Sequence, residues 1–318
     1  MMKVFFADGR LRPFLRFLIS VAGIMVVTVA VVLVAVTMPP PFPGLPGGLA
    51  LLFWFNLLLL PVLLGMYMLL SRLLDHRPLA SVGFAFHPRW KNEFVIGLIA
   101  GSVMILVAAA AEGLLGVAKF SLASASPGRV ALAGAFFFFL FAVAAANEEL
   151  VFRGYPFQRL IDVGGAVFAV IVLSVLFGVV HLRNPFHTWI STLNTVVVGV
   201  LLAICYLRTR ALWLPLGIHF AWNFVQGYVL GLPVSGIRLP ESLLKAKASG
   251  PVWITGGAYG PEGSILTLGI ILVGTVYFFA SRRIFTTGEM RDLALGTRGG
   301  KDNGNALFSP GTVPTGKL

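Results

Sequence analysis

Eight apolar stretches, at about 15–38, 49–71, 94–118, 129–150, 163–182, 189–207, 211–231 and 264–284, follow one another along the chain with polar breaks between them. Each is close to the roughly 20 residues that an α-helix needs to cross about 30 Å of hydrocarbon. In that medium a backbone must satisfy its own N–H and C=O groups, which leaves helices or a closed barrel. The expectation is an all-α fold, a polytopic membrane bundle of about eight transmembrane helices. Composition agrees: 58% of the 318 residues are hydrophobic and 11% are charged, too few polar groups to coat a water-soluble domain. The fourth stretch is expected to continue as helix to about 161, past Gly154 and Pro156, and to turn at "DVGG" (162–165) into the fifth. The first follows Lys3, Arg10, Arg12 and Arg16 as a signal peptide would. It is too long, and "VTMPPPFPG" offers no small-residue cleavage site, so an uncleaved span is expected.

The net charge of +12 raises the question of nucleic acid, but Lys and Arg are scattered between the apolar stretches and form no basic domain, so no nucleic-acid partner is expected. They do report topology. With both termini cytoplasmic, three quarters of the Lys and Arg residues fall in cytoplasmic segments, as the positive-inside rule requires. The chain is therefore expected to be an integral multi-pass protein of the plasma membrane. Cys205 is the single cysteine and forms no internal disulfide.

The expected organisation is three N-terminal spans (1–128), a core of four spans (129–231), an extramembrane loop with the last span (232–284), and a disordered cytoplasmic tail (285–318). The loop at 232–263 is rich in Gly and Pro and reads as a lid, a partner surface or slack. In the tail, "GTVPTGK" fits the GxxxxGK part of a phosphate-binding loop but lacks the Ser or Thr and the helix that must follow, so no such site is expected.

What lipid does not explain is "NEELVFR" (147–153). A charge at mid-span costs about 2.5–3.5 kcal/mol, so Glu148, Glu149 and Arg153 facing lipid would cost on the order of 8–10 kcal/mol together. They must face protein or water. Glu149 and Arg153 stand at i and i+4 in the order that pairs well, which accounts structurally for one carboxylate. Glu148 is left over, because Arg153 lies about 140° round the helix from it. Two further polar islands are "FGVVH" (177–181), with Phe177 and His181 one turn apart, and "HFAWN" (219–223), with His219 and Asn223 on one face. Taken singly, an interfacial histidine or an interhelical hydrogen-bond pair explains each.

Helix geometry connects the first two islands. If the chain reverses at 162–165, Glu148 lies about 21 Å and His181 about 26 Å from the turn at 1.5 Å per residue, within about one helical turn of each other. The seventh span need only pack beside this hairpin to add His219 and Asn223.

A carboxylate, two histidines and an amide in an intramembrane cavity suit peptide-bond hydrolysis. Glu148, alone or with His181, can take a proton from water. His219 and Asn223 can donate hydrogen bonds to the oxyanion, and Glu149 with Arg153 can hold the helix. Two His and a Glu are also a zinc-ligand set, but HExxH is absent, so metal-free glutamate catalysis is preferred and a zinc-dependent version is the alternative. A transporter or membrane scaffold is the non-enzymatic alternative: buried Glu, Arg and His also build proton relays, and "GLIAG" (97–101) is a GxxxG packing motif. A transporter of inverted repeats should carry matching polar breaks in both halves, and here the polar residues cluster in the middle and later spans.

"EELVFR" as EExxxR, "FGVVH" as FxxxH and "HFAWN" as HxxxN, in that order on three spans, resemble the motifs of the CPBP family, the type 2 CAAX prenyl proteases and the bacteriocin-processing or immunity proteins often labelled Abi. The resemblance covers roughly 130–231. It implies an intramembrane endopeptidase with Glu148 as catalytic carboxylate, His181 helping to activate water, His219 and Asn223 as oxyanion hole, and Glu149 and Arg153 in support. The partner it implies is a membrane-embedded or lipidated protein or peptide substrate.

Overall fold

The structure is a computed structural model that describes residues 6–7, 10–124 and 126–295. Its frame is helical, with two short two-stranded antiparallel sheets, β1 (Phe6–Ala7) with β2 (Arg10–Leu11) and β3 (Ala118–Leu122) with β4 (Leu244–Ala248). The helices are α1 (Pro13–Ala35), α2 (Gly47–Leu70), α3 (Trp90–Leu114), α4 (Pro127–Arg153), α5 (Tyr155–Val180), α6 (Trp189–Thr209), α7 (Trp213–Phe224), α8 (Val252–Thr255), α9 (Ile265–Ala280) and α10 (Gly288–Leu295). The polytopic helical bundle read from the sequence is what is found.

Five helical stretches among the described residues are long and apolar enough to cross a membrane, and one of them, Pro127–Arg183, is the pair α4 and α5. The stretches expected at 211–231 and 264–284 give shorter helices: α7, prolonged by a wide π turn over Val225–Val229, and the 16-residue α9. Large apolar side chains such as Met25, Val29 and Leu33 of α1, Val103 of α3 and Val273 of α9 point outward. That surface suits hydrocarbon and not water. Two thirds of α6 is buried, against about a tenth of α1, so α6 is the inner helix and α1 an outer one.

Glycine decides the closest approaches. A Cβ on Gly97 would stand 2.4 Å from the Leu214 carbonyl oxygen, and one on Gly101 2.3 Å from that of Ile218. The GxxxG of 97–101 thus lets α3 lie backbone to backbone against α7, and so fixes the depth at which α7 presents its polar face.

The helix expected to run to about 161 instead ends at Arg153. Gly154 leaves helical geometry (ψ −134°), and a Cβ there would come within 2.3 Å of the Leu150 carbonyl oxygen. A new helix begins at Tyr155 with Pro156 in its first turn, where the missing N–H costs nothing. The reversal expected at 162–165 is present as a break at Gly165 (φ 82°), a backbone region that favours glycine.

Two other expectations change. The loop 232–263 is not slack: β4 pairs with β3, and Gly236 and Gly260 sit where a Cβ would meet the carbonyl oxygens of Pro185 and Pro233, both at 2.1 Å. The tail is not without structure from 285, because Gly288–Leu295 is helical and Met290 is buried against the core that contains Trp213. "GTVPTGK" lies outside the described residues.

Candidate active site

Glu148 and Glu149 are consecutive near the end of α4, so they point in directions about 100° apart. Glu149 faces inward and is fully buried. Its Oε1 accepts from Arg153 Nη1 at 3.2 Å, one turn along the helix, and from His219 Nδ1 of α7 at 2.8 Å. Arg153 spends Nη2 on the Gly199 carbonyl oxygen of α6 at 3.1 Å. Glu149 and Arg153 therefore tie α4 to α6 and α7 at one point.

Glu148 lines a cavity of about 250 Å³, and its side chain is 38% exposed. Its Oε2 is buried, 3.7 Å from His219 Nε2 and 4.0 Å from His181 Nε2, and has no hydrogen-bond partner among the described residues. His181 follows the last turn of α5, and its Nδ1 lies 2.6 Å from the Phe177 carbonyl oxygen. A carbonyl only accepts, so Nδ1 carries the proton and Nε2 is turned to Glu148. Phe177 fills the space between the motifs: its ring centre is 4.6 Å from the His181 ring, 6.3 Å from the His219 ring and 4.7 Å from the Arg153 guanidinium carbon. That contact gives the Phe of FxxxH a role in holding three polar side chains apart. Asn223, one turn beyond His219 on α7, lines the same cavity.

The structure thus brings together all six residues singled out in the sequence. Across the hairpin, Glu148 and His181 are separated by one bridging distance, as the helix rise indicated. His219, expected only as a hydrogen-bond donor to substrate, also holds Glu149. Among the described residues no three His, Cys, Asp or Glu side chains are grouped so as to hold a metal ion.

Asn194 and Glu262 are among the polar lining residues that sequence reasoning missed. Asn194 of α6 belongs to an apolar run, and that alone was the available signal. Glu262, in the 232–263 loop, has no periodicity to mark it.

The polar constellation spans α4 to α7, and this is the part of the chain with known counterparts. Residues 130–225 match the family model described as type II CAAX prenyl endopeptidase Rce1-like. Over that segment the chain is similar to the Rce1-like family. It contains all six motif residues, and with the apolar helices it supports an integral membrane protease of the CAAX type in general terms. No curated protein matches the chain. No solved structure matches it either.

Proposed function

We propose that the chain hydrolyses a peptide bond in a membrane-embedded or lipidated protein or peptide, with Glu148 as the base that activates water. The observation that carries this reading is the pair of facing acceptors: Glu148 Oε2, without a partner, and His181 Nε2, 4.0 Å away on the cavity wall. That gap is too long for a direct hydrogen bond and suits one bridging water. Such a water donates one hydrogen to each acceptor and keeps its lone pairs for a carbonyl carbon. When it attacks, Glu148 takes the proton and returns it to the leaving amine.

The oxyanion falls to Asn223 and His219. With its Nδ1–H committed to Glu149, His219 donates from Nε2 when the ring carries both protons. Glu149 and Arg153 position His219 and do not touch substrate. The buried Glu149–Arg153 pair and the Gly199 carbonyl keep that geometry fixed, as a preorganised site requires.

Metal-free catalysis is the preferred form, because the sequence carries no HExxH motif. The distribution of Lys and Arg supports cytoplasmic termini in the plasma membrane. The deciding experiment compares the membrane proteomes of cells carrying wild type and Glu148→Gln. Substrates should accumulate uncut in the variant, and an unchanged cleavage pattern would reject the assignment. Chelator-washed protein that stays active supports the metal-free form, whereas stoichiometric zinc that tracks activity overturns it.

A further inference from the structure

Among the polar cavity residues that the catalytic proposal leaves unused, Asn194 and Glu262 both offer acceptors. Asn194 is buried, and its amide donates both hydrogens to backbone, to the carbonyl oxygens of Glu262 and Ser264 at 2.8 Å each. Its Oδ1 is left buried with no partner. Glu262 is held at the 3₁₀ turn Pro261–Gly263, where its Oε2 accepts from the backbone N–H and the hydroxyl of Ser235. The Asn194 amide and the Ser235 N–H and hydroxyl are therefore committed to protein groups. A carboxylate carries about four acceptor positions; Ser235 uses two of them and the Gln226 side chain interacts with the same carboxyl, which leaves one free.

The wall also carries apolar side chains, including Val234, Ile237, Leu239 and Trp222. Neutral substrate would leave the amide oxygen and the free position of the carboxylate uncompensated, at a cost. We propose that Glu262 and Asn194 form a cation-accepting subsite of the cavity, which takes a Lys or Arg side chain of the polypeptide that the enzyme cuts. That the bound chain is cut rests on the function proposed above; the subsite itself does not.

Other features fit. Burial pushes the Glu262 carboxyl up to about 7, with His219 across the cavity acting in the opposite direction. A bound ammonium or guanidinium restores the charged form. The loop that carries Glu262 is braced: Gly236 donates its N–H to the Tyr259 carbonyl oxygen, and the glycine contacts at 236 and 260 leave no room for a side chain. A carboxylate on a rigid support discriminates between substrates better than one on a mobile loop.

The test uses n-hexylguanidinium and its neutral counterpart n-hexylurea on the purified full-length protein in detergent, with calorimetric binding. The Glu148→Gln chain removes the other carboxylate that faces the cavity. In it, and in wild type, the cation should bind at least tenfold tighter than the urea. Adding Glu262→Gln should abolish that preference and leave hexylurea binding unchanged. Equal binding of the two probes to wild type overturns the proposal without any substitution, so it stays testable if Glu262→Gln fails to fold. It is equally overturned if Glu262→Gln weakens both probes alike, or neither. Failure of the protease reading is seen separately, as continued cleavage by Glu148→Gln, and leaves the probe result standing.

Discussion

Two groups of buried charges in this molecule are built from the same residue types and behave as opposites. In one, Asp75, in the π turn Ser71–Asp75 that follows α2, receives Arg16 from α1 and Arg159 from α5 on the same oxygen, and Arg159 also reaches Asp162 at 3.2 Å. Two cations meet two anions, and none of the four lines the cavity. In the other, Glu148, Glu149 and Arg153 share two histidines, the acids outnumber the arginine, and one acid faces the cavity without a partner. A closed, neutral cluster has no spare capacity for a reactant and serves to join helices. An open cluster with surplus acceptors is poorly compensated unless water or substrate completes it. The residual capacity, not the presence of charge, separates fastening from chemistry.

The largest expected effect tests the open cluster. Glu148→Gln should lower the cleavage rate by about 10²–10⁴-fold, while denaturant unfolding in micelles shows a midpoint near that of wild type. A variant that instead unfolds early would make Glu148 a fastener and erase the contrast. Asp75→Asn should do the reverse. It leaves two buried guanidinium groups without a full counter-charge, which should destabilise the chain by about 3–5 kcal/mol. Cleavage per folded molecule should stay within about twofold of wild type.

The difference between the clusters also explains what the sequence could reveal. Glu148, Glu149, Arg153, His181, His219 and Asn223 stand out because lipid has no place for them, and the i, i+4 spacing of Glu149 and Arg153 correctly indicated their ion pair at 3.2 Å. The reversal was legible in "DVGG" because Gly165 adopts a positive φ. The break at Gly154 was not, since a membrane helix tolerates Gly and Pro, and only the approach to the Leu150 carbonyl oxygen makes it obligatory. The closed cluster was invisible: Arg16 and Arg159 meet Asp75 across 59 and 84 residues, and no local pattern encodes such a meeting. Glu262 was hidden for the same reason, placed by loop contacts with Ser235 and Asn194. The tail helix escaped notice because it is short, and its anchoring side chains, Met290 and Leu293, are placed by contact with a distant core.

A smaller effect is expected at Asn223. If its amide donates to the developing oxyanion, Asn223→Ala should lower kcat by about 10²–10³-fold with KM little changed, since the bond is made in the transition state. A rise in KM with kcat intact would show that Asn223 holds ground-state substrate, and the open cluster would then lack one of its two donors.

The smallest expected effect probes the edge of the closed cluster. Asp162 pairs with Arg159 at 3.2 Å but is 44% exposed, whereas Asp75 and Arg159 are buried. An exposed arm of an ion network is screened by solvent and repays little of the side-chain ordering it requires. Asp162→Asn should therefore cost less than about 1 kcal/mol, measured as the shift in denaturant midpoint beside Asp75→Asn, and should leave cleavage unchanged. A loss as large as that of Asp75→Asn would mean that Arg159 needs both carboxylates for its charge. The cluster would then be a coupled four-residue unit, and its neutrality as a whole, not burial at Asp75, would be what binds α1, α2 and α5 together.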